Sequence, residues 1–321
     1  MAKKYLIIQT AFIGDVILAT SLIENLKRAN PAMEIDVLVK KENQSILKDN
    51  PHIHELFLMD KSKKIRSMFS LIRTFRKRKY DTLFNLHRFA SSGLISILSG
   101  AKEVRGFNKN PFSMFYSKKF VHEIKNGVHE VDRNNTLMEG LMVEPSRRPY
   151  LHISSNDYDK VRPYQSLPYY CMAPASVWKT KEAPPQIWIK TIGSIISNES
   201  HVYLLGAAAD FEKCEQIKTA VGSEQVVNLA GKLSLLESAA LMKSAQRNFV
   251  NDSAPLHLAS ATNAPVTTFF CSTSPSFGFG PLSENATIVE VQNLDCKPCG
   301  LHGFKSCPKG HFKCGNELES A

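Results

Sequence analysis

Three short stretches carry side chains suited to work on a hydroxylated or phosphorylated substrate. The first is Gln9-Thr10-Ala11-Phe12-Ile13-Gly14-Asp15, which leaves an apolar run and opens a helix. Its glycine permits close backbone approach, and Asp15 stands in the first helical turn, where the helix dipole favours the ionised carboxylate. Such a group either serves as a general base or simply stabilises the helix end. The second is Ser176-Val177-Trp178-Lys179-Thr180-Lys181, a post-strand loop whose hydroxyls and ammonium groups suit phosphate oxygens. The third is Asn251-Asp252-Ser253-Ala254-Pro255-Leu256-His257, a strand end entering a helix. Asp252 or Ser253 would cap that helix, and the backbone N–H groups of its first turn would form an anion site for a diphosphate. His257, one turn on, is either a pocket residue or a hydrogen-bonded core histidine.

The seven cysteines divide in the same uneven way. Cys171, Cys214 and Cys271 lie in apolar segments and read as small buried hydrophobes. Cys296, Cys299, Cys307 and Cys314 crowd one C-terminal stretch with His302 and His311 close by, which permits a structural tetrahedral zinc site. No metal is needed for the chemistry considered below.

Apolar runs alternating with amphipathic stretches must position these groups, and that alternation is the pattern of parallel sheets wrapped by helices. Strands are expected at 5–9, 35–39, 55–59, 82–86 and 103–106, and again at 169–172, 202–205, 226–229, 248–250 and 266–270. A first helix runs through Ile13, Val16, Ile17, Thr20, Ile23 and Leu26 and stops before Pro31. A second passes through Ile65, Phe69, Ile72 and Phe75, with basic residues on its other face. Later helices are expected at 211–220, 235–243 and 255–261. Proline and serine punctuation at Pro145, Pro149, Ser154, Ser155 and Pro163 marks a join, dividing the 321 residues into domains at 1–160 and 161–321. Two such sheets suggest a ligand in the cleft between them.

Charge separates the halves. Residues 1–150 hold 26 Lys and Arg against 15 Asp and Glu, net +11, whereas the remainder is net −1. The first half therefore suits an anionic partner: nucleic acid, an anionic membrane surface or a phosphorylated substrate. No apolar run approaches the ~20 residues of a spanning helix, and the N-terminus lacks signal-peptide form, which implies a cytoplasmic protein. There is no G-x-G-x-x-G after the first strand, no phosphate-binding G-x-x-x-x-G-K-[ST] loop and no H-E-x-x-H, which disfavours nicotinamide oxidoreductases, P-loop enzymes and zincins.

Taken together, the Gly14-Asp15 turn, Tyr80-Asp81, His129-Glu130-Val131-Asp132-Arg133-Asn134, the loop Ser176 to Lys181 and the run Asn251 to Ala259 closely resemble the ADP-heptose:lipopolysaccharide heptosyltransferase family. The resemblance covers nearly the whole chain. It implies the α/β GT-B fold, with two Rossmann-like α/β/α domains facing across a cleft, and inverting heptose transfer to the lipopolysaccharide inner core without a required cofactor. It also implies Asp15 as catalytic base, Ser176, Thr180 and Lys181 on the donor diphosphate, and Asp252, Ser253, Ala254 and His257 lining the donor pocket. Asp210, after Gly206, would meet the nucleoside ribose. Two departures concern donor seating: Ala254 stands where glycine is usual, and Cys271-Ser272-Thr273 replaces Gly-Pro-Thr. The basic helix, including Lys61, Lys63, Lys64, Arg76, Lys77 and Arg78, would hold the anionic acceptor, with peripheral contact at the inner membrane surface. Nucleic acid is set aside because no recognition motif accompanies the charge. The rival readings are a GT-B enzyme using another nucleotide sugar and a catalytically idle lipopolysaccharide-binding paralogue.

Overall fold

A computed structural model describes residues 2–60, 62, 64–124, 127–141 and 144–320. Lys61 and Lys63 of the basic stretch lie outside the described residues, as does the side chain of Lys64. The chain divides into two compact units, Met1–Ile124 with Val128–His152, and Ile153–Ala321.

The first unit holds strands β1 (Lys4–Ile8), β2 (Glu34–Lys40), β3 (Glu55–Met59), β4 (Thr82–Asn85), β5 (Glu103–Phe107) and β6 (Lys118–Phe120). All pair in parallel, in the order β3-β2-β1-β4-β5-β6. Its helices are α1 (Ile13–Ala29), α2 (Lys64–Arg78), α3 (Ala90–Leu98) and α4 (Glu130–Thr136). A parallel sheet is covered on both faces, so its central strands read as unbroken apolar runs; Leu6, Ile7 and Ile8 of β1 are fully buried. Leu6 and Ile8 join Leu38, Phe75, Tyr80, Leu83 and Ile95 in the core on one face of the sheet.

The second unit repeats the plan. Strands β7 (Tyr169–Ala173), β8 (His201–Leu204), β9 (Val226–Asn228), β10 (Arg247–Asn251), β11 (Val266–Phe270) and β12 (Ala286–Glu290) form a parallel sheet of order β12-β11-β10-β7-β8-β9. The helices are α5 (Ser155–Val161), α6 (Pro185–Ile195), α7 (Phe211–Val221), α8 (Leu235–Ser244), α9 (Ala254–Thr262) and α10 (Lys313–Asn316). Trp188, Leu204, Phe249 and Phe269 fill its core, together with the buried thiols of Cys214 and Cys271. Burial raises the Cys214 thiol to about 12, as suits a residue used for packing rather than nucleophilic chemistry.

Each sheet therefore winds outward in two directions from its first strand, the doubly wound order in which ligands bind at the carboxyl edge where the winding reverses. That point lies between β1 and β4 in one unit and between β7 and β10 in the other. Among the described residues no helix is long and apolar enough to cross a membrane.

Candidate active site

The segments after β1 and β4 meet at the first reversal point. Asp15 occupies the third position of α1, where its Oδ2 accepts the N–H of Phe12 at 3.2 Å. Its acid is nevertheless pushed up to about 6, first by burial and then by the charge of Glu130, against the backbone N–H groups and Lys40, which pull it down. Glu130 is the buried head of α4, which packs against α1. It stays ionised despite burial, because His122 lies 3.1 Å and Arg133 2.7 Å from its Oε2, and these partners outweigh the desolvation. The run His129 to Asn134 thus acts as a buried charge cluster that sets the field at Asp15. Beside it, the buried Thr10 hydroxyl pairs with His87 Nδ1 at 2.8 Å, and His87 N–H donates to Asn85 Oδ1 at 3.0 Å.

At the second reversal point the loop after β7 meets the end of β10. Asn251, fully buried, ties them together: its Nδ2 donates to the Pro174 carbonyl at 2.9 Å and its Oδ1 accepts the Ala183 N–H at 2.9 Å. Lys181 Nζ lies 2.6 Å from Asp252 Oδ2, and the same oxygen accepts the Thr273 hydroxyl at 2.6 Å. Lys179 is drawn elsewhere, to Glu182 Oε2 at 3.1 Å. Buried Glu182 also pairs with Lys213 and accepts the Ser176 N–H at 3.1 Å. This division of labour leaves Lys181, side chain 14% exposed, as the ammonium group facing the β10 carboxylate.

The other expected donor residues fall into two sets. Ser176, Ser253 and Ala254 are half-buried near that ion pair in the fold's own order, on the β7 loop and at the start of α9. Ser253 occupies the N-cap position, but its hydroxyl turns to the Asn251 carbonyl at 3.4 Å and makes no side-chain cap. Pro255 has no N–H and Leu256 N–H returns to the Ser253 carbonyl at 3.0 Å, so the helix start offers fewer backbone donors than expected. Thr180 and His257 are buried instead. Thr180 Oγ1 accepts the Phe304 N–H at 2.8 Å and pairs with Ser272 Oγ at 3.0 Å, while His257 sits edge-on to Phe279. Asp210, beyond β8, accepts the Ala207 N–H at 2.8 Å and so closes its own turn. A Cβ at Gly206 would come within 2.8 Å of the Asp210 Cβ, which is why glycine stands there.

The C-terminal segment braces this loop. His302 stacks on Trp178, and a Cβ at Gly303 would lie 2.5 Å from Trp178 Cβ and 2.8 Å from Lys181 Cγ. Cys299 N–H donates to the Ser272 carbonyl at 2.9 Å. The thiol of Cys299 donates to the Cys296 carbonyl at 3.1 Å, and Cys307 is held below its usual range because four backbone N–H groups outweigh its desolvation. Among the described residues, the set of three metal-ligating side chains whose donor atoms lie within 4.8 Å of one another is in the first unit, and the four cysteines do not form such a set.

The basic helix α2 lies differently from its expected role. Its C-terminal end leads into the amino end of β4, so Arg76, Lys77 and Arg78 stand at the sheet edge opposite Asp15, about 22 Å along a helix of this length. Arg78 is engaged there with Glu55 and, at 3.4 Å, with Asp36, while Arg76 Nε donates to the Leu98 carbonyl at 2.9 Å. Lys77 is exposed at that edge. Cations at the carboxyl edge include Lys40, whose Nζ lies 5.0 Å over the Phe12 ring, and half-buried Arg88 just beyond β4. Sequence reasoning passed over both, together with Glu182, and quoted Glu130 and Thr273 within motifs without giving either residue a role. Arg88 was legible as a cation directly after a strand; the others act through partners distant in the chain.

The sequence profile of glycosyltransferase family 9 (heptosyltransferase) matches residues 68–305. Lipopolysaccharide heptosyltransferase 3 of Escherichia coli K12 is 28% identical over 311 residues, covering 89% of this chain and 87% of that protein. Among solved structures, a family 9 glycosyl transferase from Veillonella parvula superposes with a TM-score of 0.80 at 21% identity, over 89% of this chain and 85% of the other. The E. coli ADP-heptose lipopolysaccharide heptosyltransferase II superposes with 0.79 at 23% identity, over 92% and 95%. These structural likenesses bear on the fold.

Proposed function

The chain belongs to glycosyltransferase family 9, the heptosyltransferases, and from that premise we propose that it moves a heptose from ADP-heptose to the inner core of lipopolysaccharide with inversion. The observation that carries the mechanism is Asp15: a carboxylate at the reversal point of the first sheet whose acid lies at about 6. A base is most useful when its pKa approaches the working pH, because it is then ionised yet still binds a proton readily. The acceptor hydroxyl gives its proton to Asp15 as its oxygen bonds to the anomeric carbon. The bond from that carbon to the diphosphate breaks, and ADP leaves with the electron pair.

Negative charge grows on the diphosphate as it departs, so fixed donors aimed at it lower the barrier. Lys181, Ser176 and the backbone N–H groups of Ser253 and Ala254 take that part, with Asp252 and Thr273 holding the Lys181 ammonium in place. Asp210 takes the nucleoside ribose. The acceptor's phosphates and acidic sugars meet Lys40 and Arg88 at the carboxyl edge rather than Arg76, Lys77 and Arg78. Its lipid anchor brings the reaction to a membrane surface, where the net positive first half is favoured.

A panel of nucleotide sugars, offered with a core acceptor lacking the terminal heptose and followed by mass spectrometry, tests this reading. ADP-heptose should give one added heptose and stoichiometric ADP. Transfer from a different nucleotide sugar in its place would overturn the donor assignment, and binding of acceptor with no transfer from any donor would favour an idle binding protein.

A further inference from the structure

Outside the residues assigned to transfer, three side chains from distant parts of the first unit converge on one point. Glu24 lies in α1, His52 in the turn before β3, and His152 at the end of the unit. His52 Nδ1 is 2.9 Å from Glu24 Oε2, and His152 Nε2 is 2.9 Å from Glu24 Oε1. The two imidazoles meet edge to face with centroids 5.0 Å apart. His52 Nδ1 is buried and faces the Glu24 carboxylate.

We propose that Glu24, His52 and His152 form a binding site for a divalent first-row transition ion such as Zn2+ or Co2+. Two imidazole nitrogens and one carboxylate suit such ions, whereas Mg2+ and Ca2+ prefer all-oxygen shells. Bonds of about 2.0–2.2 Å to each donor require donors roughly 3–3.5 Å apart; the two 2.9 Å contacts would widen slightly, and the three donor atoms already lie within 4.8 Å of one another. Side-chain exposures of 22% for Glu24, 35% for His52 and 20% for His152 leave one side open for water as a fourth ligand.

The site's position gives it a structural role. Residues 144–152 run along α1: Tyr150 N–H donates to Thr20 Oγ1, Ser146 exchanges hydrogen bonds with Asn25, and Arg28 donates to the Glu144 carbonyl. A bound ion would join this strap and the turn before β3 to the helix that begins with the Asp15 turn. Glu24 is nine residues beyond Asp15, about 13 Å along the helix, too far for the ion to touch the reacting atoms.

Spectroscopic titration of the full chain, stripped with a chelator at neutral pH, tests the site with Co2+ alone. One equivalent should bind without a thiolate-to-cobalt charge-transfer band, and His152→Asn or Glu24→Gln should weaken it by at least about tenfold, the least that loss of a ligand costs where even outer partners cost that much. Zn2+ should also protect His52 and His152 of the unaltered protein from diethyl pyrocarbonate, a readout independent of how the variants fold. Binding unchanged by either substitution, binding only with a thiolate band from the C-terminal cysteines, or modification unaffected by Zn2+ would each overturn the proposal.

Discussion

The two units share one strand order and place a carboxylate at the same topological point, yet they treat it in opposite ways. Asp15 in the first unit is half-buried, and desolvation together with the charge of Glu130 raises its acid to about 6. Asp252 in the second is held by Lys181 and Thr273, both at 2.6 Å. The same sheet topology thus carries a carboxylate of raised pKa in one case and an anchored cation in the other. Function follows from the partners packed around the strand ends, not from the strand order itself.

Removing the base should break this contrast most severely. Asp15→Asn keeps the shape of the side chain but cannot take the proton, so turnover should fall roughly 10²–10⁴-fold with nucleotide affinity kept. Single-turnover rates and calorimetry would check both halves of that statement. In the parent, kcat/KM should fall about tenfold per pH unit below about 6, because protonated Asp15 cannot act; the pH profile of the residual activity in the variant should lack that limb. The same acid also costs stability. Its folded pKa lies above the usual 3.8, so the penalty is full above about 6 and disappears below 3.8. Asp15→Asn should therefore melt higher than the parent at pH 7 and lose that advantage toward pH 4.

Lys181→Ala tests the other side of the comparison with a smaller effect. A charge-assisted contact of about 1.5–3 kcal/mol corresponds to a loss of roughly 10- to 150-fold, and in the proposed role, where the ammonium meets the diphosphate before and during transfer, it should appear in donor affinity as well as in rate. An effect on rate alone would move Lys181 out of the donor-binding role.

The charge of the first unit offers a finer distinction. Arg88→Ala and Lys40→Ala should each raise the acceptor KM several-fold, an effect of about 1 kcal/mol for a partly exposed charge that fades as salt screens it. Arg78→Ala should leave acceptor KM unchanged and lower the melting temperature, because it strips Asp36 and Glu55 of a partner. The reverse pattern would restore the acceptor role to the end of α2. Last, the double change Cys296→Ser, Cys299→Ser should lower thermal stability and slightly weaken donor binding, through looser packing of residues 299–304 on the Trp178 to Lys181 loop. Metal analysis of the parent and this variant would show whether the cysteines hold zinc.

Strand positions near the centre of both sheets were legible because β1, β2, β7 and β11 are largely buried apolar runs, β-branched or aromatic in the main. Two of the four edge strands, β6 and β12, were not. β6 is short and exposed, and β12 presents three exposed residues before two half-buried ones, so neither carries the apolar signature that buried strands show. The positions of Asp15, Lys181 and Asp252 just beyond strand ends were legible from turn chemistry and from the order of their motifs. Thr180 and His257 share those motifs, but both are buried, and the Thr180 hydroxyl is engaged by Phe304 and Ser272, which spacing along the chain does not reveal.

By itself the sequence determined the alternation of strands and helices, the two halves, the separation of charge between them and the carboxylate that opens α1. These follow from periodicity, turn residues and composition, all set within a few residues of one another. Tertiary structure alone decided that Lys179 goes to Glu182 while Lys181 goes to Asp252, 71 residues away. It also decided that Arg78 braces β2 and β3, and that Glu24 and His152 meet across 128 residues. Such pairings depend on which strand ends and loops the winding of each sheet brings together, and a charge buried there takes the nearest partner in space because leaving it unpaired costs more than any local preference along the chain.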